Sequence, residues 1–197
     1  MGDDPPGAGV VQVNNMEAAA AAATFHLISL GHRRIAYVGM DNRGPVASYF
    51  SLRREGFKTA MWQRKLPVPK KRLIEADCTL SGGYQAAKEL LDRPLEDRPS
   101  AIVGATDDMA VGIILAAKEL HLSVPAELSV IGIDGNEVGE AIGLTTVDQF
   151  AQEQGRIAAA RIIEQLSSPS ADPVSSHRVC QPELVARTST GVPLYSL

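Results

Sequence analysis

Between Val124 and Asp134 the chain reads Val-Pro-Ala-Glu-Leu-Ser-Val-Ile-Gly-Ile-Asp, and this stretch limits the fold more than any other. Pro125 cannot sit inside a helix and biases the residue before it toward extended backbone, so a preceding helix must stop ahead of it. Residues 128–133 form a short, almost wholly apolar run with several β-branched members. Such a run suits a strand covered on both faces. Asp134 then places a carboxylate at the strand's carboxyl end, where open α/β sheets bind their ligands.

The rest of the chain alternates in the same way. Residues 10–13 read as a short apolar strand. Residues 17–30, rich in alanine, read as a helix ending at Gly31. A strand is expected over 34–40, and an amphipathic helix over 49–64 with Leu52, Phe57, Ala60 and Met61 on or near one face. A weaker strand follows at 72–76, then a helix over 82–91 with Ser81 as its N-cap. Residues 101–105 read as a strand and 109–120 as a helix capped by Asp107 or Asp108. After the 128–133 strand come a long helix at 151–166, a loop at 167–173 and one or two strands near 177–180 and 184–187. Strands alternating with helices of this length imply βαβ units on a parallel sheet.

Composition narrows the function. The 197 residues suit one domain, or one and a fraction, and a chain of this size buries about 70% of its unfolded surface without needing a disulfide or metal. The net charge of -4 argues against nucleic acid held by this chain itself. The two cysteines, Cys78 and Cys180, are far apart and imply no disulfide framework. No stretch is long and apolar enough to span a bilayer, and the acidic, proline-containing amino terminus lacks the basic and apolar regions of a signal peptide. A cytoplasmic location is therefore expected.

If the sheet is parallel, polar groups gather along one edge: Asp41 and Asn42 after the 34–40 strand, Asp77 and Cys78 after the next, then Thr106 and Asp107, then Asp134. Arg53, early in its helix, can reach the same edge. Carboxylates, amides and a guanidinium without a metal-type cluster suit a ligand rich in hydroxyls, since carboxylates accept from hydroxyls and Arg donates to them. Each residue also has a plainer reading. Asp107 or Asp108 can be a helix cap, Asp41 a turn residue, Asp77 a strand-end turn and Arg53 a surface ion pair. Asp134 is harder to explain away, because a carboxylate directly after a buried strand needs a partner.

Enzyme and cofactor signatures are absent. There is no phosphate-binding G-x-x-x-x-G-K-[ST], no G-x-G-x-x-G after a strand and no G-x-S-x-G nucleophile elbow. The four histidines, His26, His32, His121 and His177, show no metal spacing. No catalytic residue, cofactor or metal is expected.

Several motifs together resemble the effector-binding region of the lactose-repressor/galactose-repressor (LacI-type) family of bacterial transcription regulators. They are His26-Leu27-Ile28 with Gly31-His32-Arg33-Arg34-Ile35-Ala36; Arg53-Arg54-Glu55-Gly56-Phe57; Asp107-Asp108-Met109-Ala110-Val111-Gly112; the Val124–Asp134 stretch; Leu144-Thr145-Thr146-Val147; and Leu184-Val185-Ala186-Arg187-Thr188-Ser189-Thr190. They stand in family order across roughly residues 10–190. The resemblance implies a two-lobed, periplasmic-binding-protein-like α/β fold with a doubly wound parallel sheet, holding a small effector between lobes. Matched by motif, Arg53 and Asp134 fall on typical effector contacts. Thr106, Asp107, Cys78 and Gln149 shape the site, and Tyr49 lies in the loop before Arg53. Val111 and Ile142 fall on the surface through which family dimers pair.

The resemblance begins in mid-family. It implies mainly the second lobe, with the helix-turn-helix head and most of the first lobe missing, so DNA would be met only through that head. The implied division is 1–15 as a residual first-lobe strand and linker, 16–148 as the second lobe, 149–180 as a helix and strand returning to the first lobe, and 181–197 as a final second-lobe strand and tail. Asn15-Met16 stands where Asp-Asn is usual. The expected function is an effector-sensing and dimerisation module that binds a sugar or related small molecule and is not an enzyme. A transport-type periplasmic sugar-binding protein of the same fold stays open as an alternative. So, lower in rank, does an enzyme using the strand-end carboxylates.

Overall fold

The computed structural model describes residues 15–40, 47–167 and 181–194. The strands expected at 10–13 and 177–180, the pair Asp41 and Asn42, and Cys180 lie outside the described residues. Helix α1 (Met16–Ser29) starts at Asn15, whose side chain accepts the Ala18 N–H at 2.9 Å. It ends at Gly31, where φ is +102°, the left-handed turn that glycine allows without strain. Then follow β1 (Ile35–Gly39), α2 (Ala47–Gln63), a 3₁₀ turn at Lys70–Arg72, β2 (Leu73–Glu75), α3 (Leu80–Leu91), β3 (Ala101–Gly104) and α4 (Asp107–Glu119). The chain closes with β4 (Ser129–Asp134), α5 (Glu137–Ala141), β5 (Thr145–Asp148), α6 (Ala151–Ser167) and β6 (Glu183–Val185).

The sheet order is β2-β1-β3-β4-β5-β6, parallel from β2 to β5 with β6 antiparallel at the edge. Strand order reverses at β1, which has β2 on one side and β3 on the other. A crevice therefore opens at the carboxyl ends of β1 and β3, where the connections leave toward opposite faces. Helices α1 and α2 pack as one pair and α3 and α4 as another. Every residue of β1 and β3 is buried, as strands covered on both faces must be. Both helix pairs cross at a glycine. A Cβ on Gly56 would lie 2.1 Å from the Glu17 carbonyl oxygen, and one on Gly112 would lie 2.0 Å from that of Leu80.

The amino-terminal edge of the sheet is closed by His32. Its Nε2 lies 2.9 Å from the Gly191 carbonyl, which can only accept, so Nε2 carries the proton. Nδ1 then accepts from the Ser100 hydroxyl at 2.9 Å. The ring thus joins the start of β1, the residue before β3 and the carboxyl-terminal segment. Ser189 continues that attachment. Its carbonyl accepts from Val130 N at 2.8 Å, and its hydroxyl donates to the Val130 carbonyl at 2.6 Å.

The structure corrects several expectations. Thr79, not Ser81, caps α3; its side chain accepts from Gly82 N at 3.0 Å. Thr106, not Asp107 or Asp108, caps α4; its backbone is extended (φ -137°, ψ 162°) and its hydroxyl reaches Met109 N at 3.2 Å. Arg72 lies in the 3₁₀ turn rather than in a strand, and Ser167 closes α6 rather than opening a loop. Helix α5 and strand β5 were not expected. Two of the residues of β5 are threonines, so it does not read as an apolar run. All three of Thr145, Thr146 and Val147 are nevertheless buried.

Candidate functional site at the carboxyl edge of the sheet

Asp134 closes β4 with φ at +138°, a backbone conformation that side-chain-bearing residues rarely adopt and that collects at ligand sites. Arg53, on the inward face of α2, reaches across the end of β3 to meet it. Its Nη2 donates to Asp134 Oδ1 at 2.7 Å, its Nη1 to the Ala105 carbonyl, and its Nε lies 3.3 Å from Met16 Sδ. The Phe50 ring sits 5.6 Å from the guanidinium carbon, within cation–π range. Gln149, buried just after β5, donates its amide nitrogen to the same Asp134 Oδ1 at 2.9 Å.

The arrangement leaves hydrogen-bonding capacity unspent. Among the described residues both donors to Asp134 use Oδ1 and none uses Oδ2, and its side chain is 35% exposed against 6% for Arg53. Arg53 commits three of the five N–H groups a guanidinium carries. Gln149 Oε1 is buried with no partner among the described residues. Burial pushes the Asp134 carboxyl above its ordinary range; Arg53 and Gln149 oppose this and the Asp107 carboxylate adds to it. A fixed acceptor beside fixed donors, on a rigid sheet edge, is what an ordered set of hydroxyl groups requires.

Cys78 lies in the same field. Burial pushes its thiol up to about 11; a backbone hydrogen bond from Met40 and the Arg53 charge lower it, while Asp134 and Asp77 raise it further. The thiol is thus protonated at neutral pH. Tyr37, which the sequence did not single out, lies within the field of Arg53. Its ring packs 5.4 Å from Phe57, and its hydroxyl is buried with no partner among the described residues. Burial raises that hydroxyl's pKa, opposed by Arg53. Met16, Phe50 and the Ala105 carbonyl were also missed; a thioether, a ring and a backbone oxygen carry no sequence signal of a site.

The other expected residues are placed differently. Thr106 stands at the edge but is used as a cap. Asp107 is fully buried, with Oδ1 accepting from the Thr146 hydroxyl at 2.6 Å and Oδ2 from Asn136 N at 2.8 Å. Both oxygens are committed to tying α4 to β5 and α5, away from Arg53. Asp77 is exposed before α3. Tyr49 falls in α2, one turn before Arg53, with its side chain outside the described residues. Val111 is 6% exposed and packed in the core, whereas Ile142, just after α5, is 45% exposed.

A wide cleft runs from Asp134 between α5 and the start of α6. Its rim carries Glu137, Glu140, Asp148 and Glu153 against one cation, Arg156. Among the described residues no group of His, Cys, Asp and Glu is placed to hold a metal ion, and no helix is long and apolar enough to cross a membrane.

The sequence profile of the periplasmic binding protein-like domain matches residues 24–190. The chain is 35% identical over 151 residues to the ribose operon repressor of Escherichia coli K12, covering 75% of this chain and 44% of that protein. It is 33% identical over 171 residues to the arabinose metabolism transcriptional repressor of Geobacillus stearothermophilus, covering 85% and 46%. Among solved structures, a LacI-family regulator from Enterococcus faecium with bound ribose superposes with a TM-score of 0.78 at 28% identity, covering 91% of this chain and 64% of that one. The chain spans a little under half the length of these two curated relatives.

Proposed function

The chain belongs to the family of periplasmic-binding-protein-like domains found in LacI-type transcriptional regulators, and from that premise we propose that it is the effector-sensing and dimerisation module of such a regulator, with a sugar or close relative as effector. The observation that carries the reading is the set Arg53, Asp134 and Gln149 at the carboxyl edge of the sheet, with Asp134 Oδ2 and two Arg53 N–H groups uncommitted among the described residues. Asp134 accepts from effector hydroxyls while Arg53 and Gln149 fix its direction. Cys78, Thr106 and Tyr49 border the site, and Asp107 supports it from behind. The acidic rim disfavours phosphorylated sugars. The names of the two relatives and the ribose in the solved neighbour make pentoses the first effectors to try.

The module divides as 16–148 and 181–197 for the lobe built on this sheet, with 1–15 and 149–180 belonging to the facing lobe. Helix α6 fits that division: it is exposed along most of its length and presents Ile162, Ile163 and Leu166 to solvent. The dimer forms along α4 and α5, where Leu115, Val138 and Ile142 are exposed. Val111 backs that surface from the core. A regulator of this kind acts beside DNA, in the cytoplasm, without catalysis.

Calorimetric titration with ribose, arabinose and ribose 5-phosphate tests the site. We expect the free pentoses to bind and the phosphate ester not to. Arg53→Ala and Asp134→Ala should each weaken binding by about 1.5–3 kcal/mol, the worth of a charge-assisted hydrogen bond. Unchanged titrations in both variants would remove the assignment.

A further inference from the structure

We propose that the chain carries a second small-molecule site, at the amino-terminal edge of the sheet, for a monocarboxylate with an apolar body. A cleft there opens between Arg34, just before β1, and Arg98, in the loop before β3. Its walls are Leu91 of α3, Leu122 and Leu128 from the α4–β4 connection, and Pro193 of the carboxyl-terminal segment. It lies across the full length of the strands from Asp134, and nothing in the effector reading uses it.

The two guanidiniums of this cleft find little to answer them among the described residues. Arg34 Nε is buried there without a hydrogen-bond partner. Among the described residues, no carboxylate stands within ion-pair distance of Arg34 or Arg98. Arg98 Nε donates to the Arg93 carbonyl at 2.6 Å, which fixes the side chain and leaves its two terminal nitrogens without an acceptor among the described residues. Glu127 is the one carboxylate among the described residues of the lining, and it already accepts from Ser123 N at 2.9 Å. Ser100, also in the lining, is held by His32.

These facts set the ligand's chemistry. The terminal nitrogens of Arg34 and Arg98 meet no acceptor among the described residues, and guanidinium N–H groups at a cleft favour a ligand that brings oxygen. Two guanidiniums against one carboxylate leave a single net positive charge, matched by a monoanion. A planar carboxylate fits the guanidinium fork. The leucines and Pro193 then need an apolar body rather than a hydrated one, which separates this ligand from inorganic phosphate and from the polyhydroxy effector of the other edge.

Nuclear magnetic resonance titration of the ¹⁵N-labelled chain tests the proposal, with benzoate, isovalerate, benzyl alcohol and inorganic phosphate as probes. Saturable shifts at the amides of Ser100, Leu122 and Leu128 are expected with the two carboxylates. Arg34→Gln and Arg98→Gln should each weaken them at least tenfold, and Asp134→Asn should leave them unchanged. Arg98 sits in a half-buried loop outside the core, so a loss there does not report unfolding. The proposal fails if neither carboxylate gives saturable shifts, or if benzyl alcohol or phosphate binds as tightly as benzoate. It fails equally if both arginine variants bind like the parent chain.

Discussion

Replacing Arg53 by Met keeps most of the side chain's volume and removes its charge and donors. Asp134 then loses the guanidinium at 2.7 Å and keeps Gln149. Breaking a fully buried ion pair by removing one partner costs about 3–5 kcal/mol. Asp134 is 35% exposed, so water recovers part of that, and a loss of about 2 kcal/mol in unfolding free energy is expected at pH 7.5. The loss should depend on pH with a definite sign. Burial already raises the Asp134 carboxyl, and removing Arg53 raises it further. A carboxyl whose folded pKa exceeds its unfolded one binds more protons when folded, so stability falls as pH rises. The Arg53→Met penalty should therefore shrink as pH is lowered toward 5. Asp134→Asn in the same background removes the unpaired charge altogether, and the double variant should recover about 1 kcal/mol of the single variant's loss at pH 7.5. Urea unfolding followed by circular dichroism at several pH values measures all three quantities. A penalty that is flat with pH, or a double variant less stable than the parent chain by the sum of the two single changes, would refute the pairing.

Two further outcomes follow from the buried polar groups. Burial holds the His32 imidazole below its ordinary pKa, so the folded state keeps it neutral while the unfolded chain takes up a proton as pH falls below about 6.5. Its contribution is complete above that pH and declines in acid by at most about 1.4 kcal/mol per pH unit; urea midpoints at pH 7.5 and 5.5 should fall more steeply for the parent chain than for His32→Gln. Asp107→Ala strands the Thr146 hydroxyl and the Asn136 N–H, so it should cost about 2–3 kcal/mol in thermal or urea unfolding while weakening pentose binding less than Asp134→Ala does.

Much of the fold is legible because parallel strands covered on both faces must be apolar along their interiors, and β1, β3 and β4 are. Arg53 and Asp134 are legible for a related reason. A charged residue next to such a strand has few places to go, and each answers the other. Strand β5 is illegible because the hydrogen bonds that let its threonines be buried come from far along the chain. Thr145 meets Thr190 and Arg187 N, and Thr146 meets Asp107. Those contacts exist only once the sheet has formed. Asp107 was misread for the same cause. An Asp pair before a helix looks like a cap, but Thr106 has the extended backbone and the short hydroxyl that capping needs, which frees Asp107 to turn inward.

Strand direction separates what residue type cannot. His32 and Ser100 precede their strands and Ser129 opens its own; Asp134 closes its strand, Gln149 follows β5, and Thr106 stands just past the end of β3. All are polar groups at the ends of buried runs, and in the sequence they look alike. In a parallel sheet they fall on opposite edges. The groups that follow strands meet where the connections part and leave a crevice. Those that precede strands meet the carboxyl-terminal segment and are used up in holding it, as His32 is by Ser100 and Gly191. Arg34 and Arg98 break that pattern. They lie on the structural edge yet keep terminal nitrogens that no described residue satisfies, and guanidinium donors that face a cleft without an acceptor are open to a partner from outside the chain.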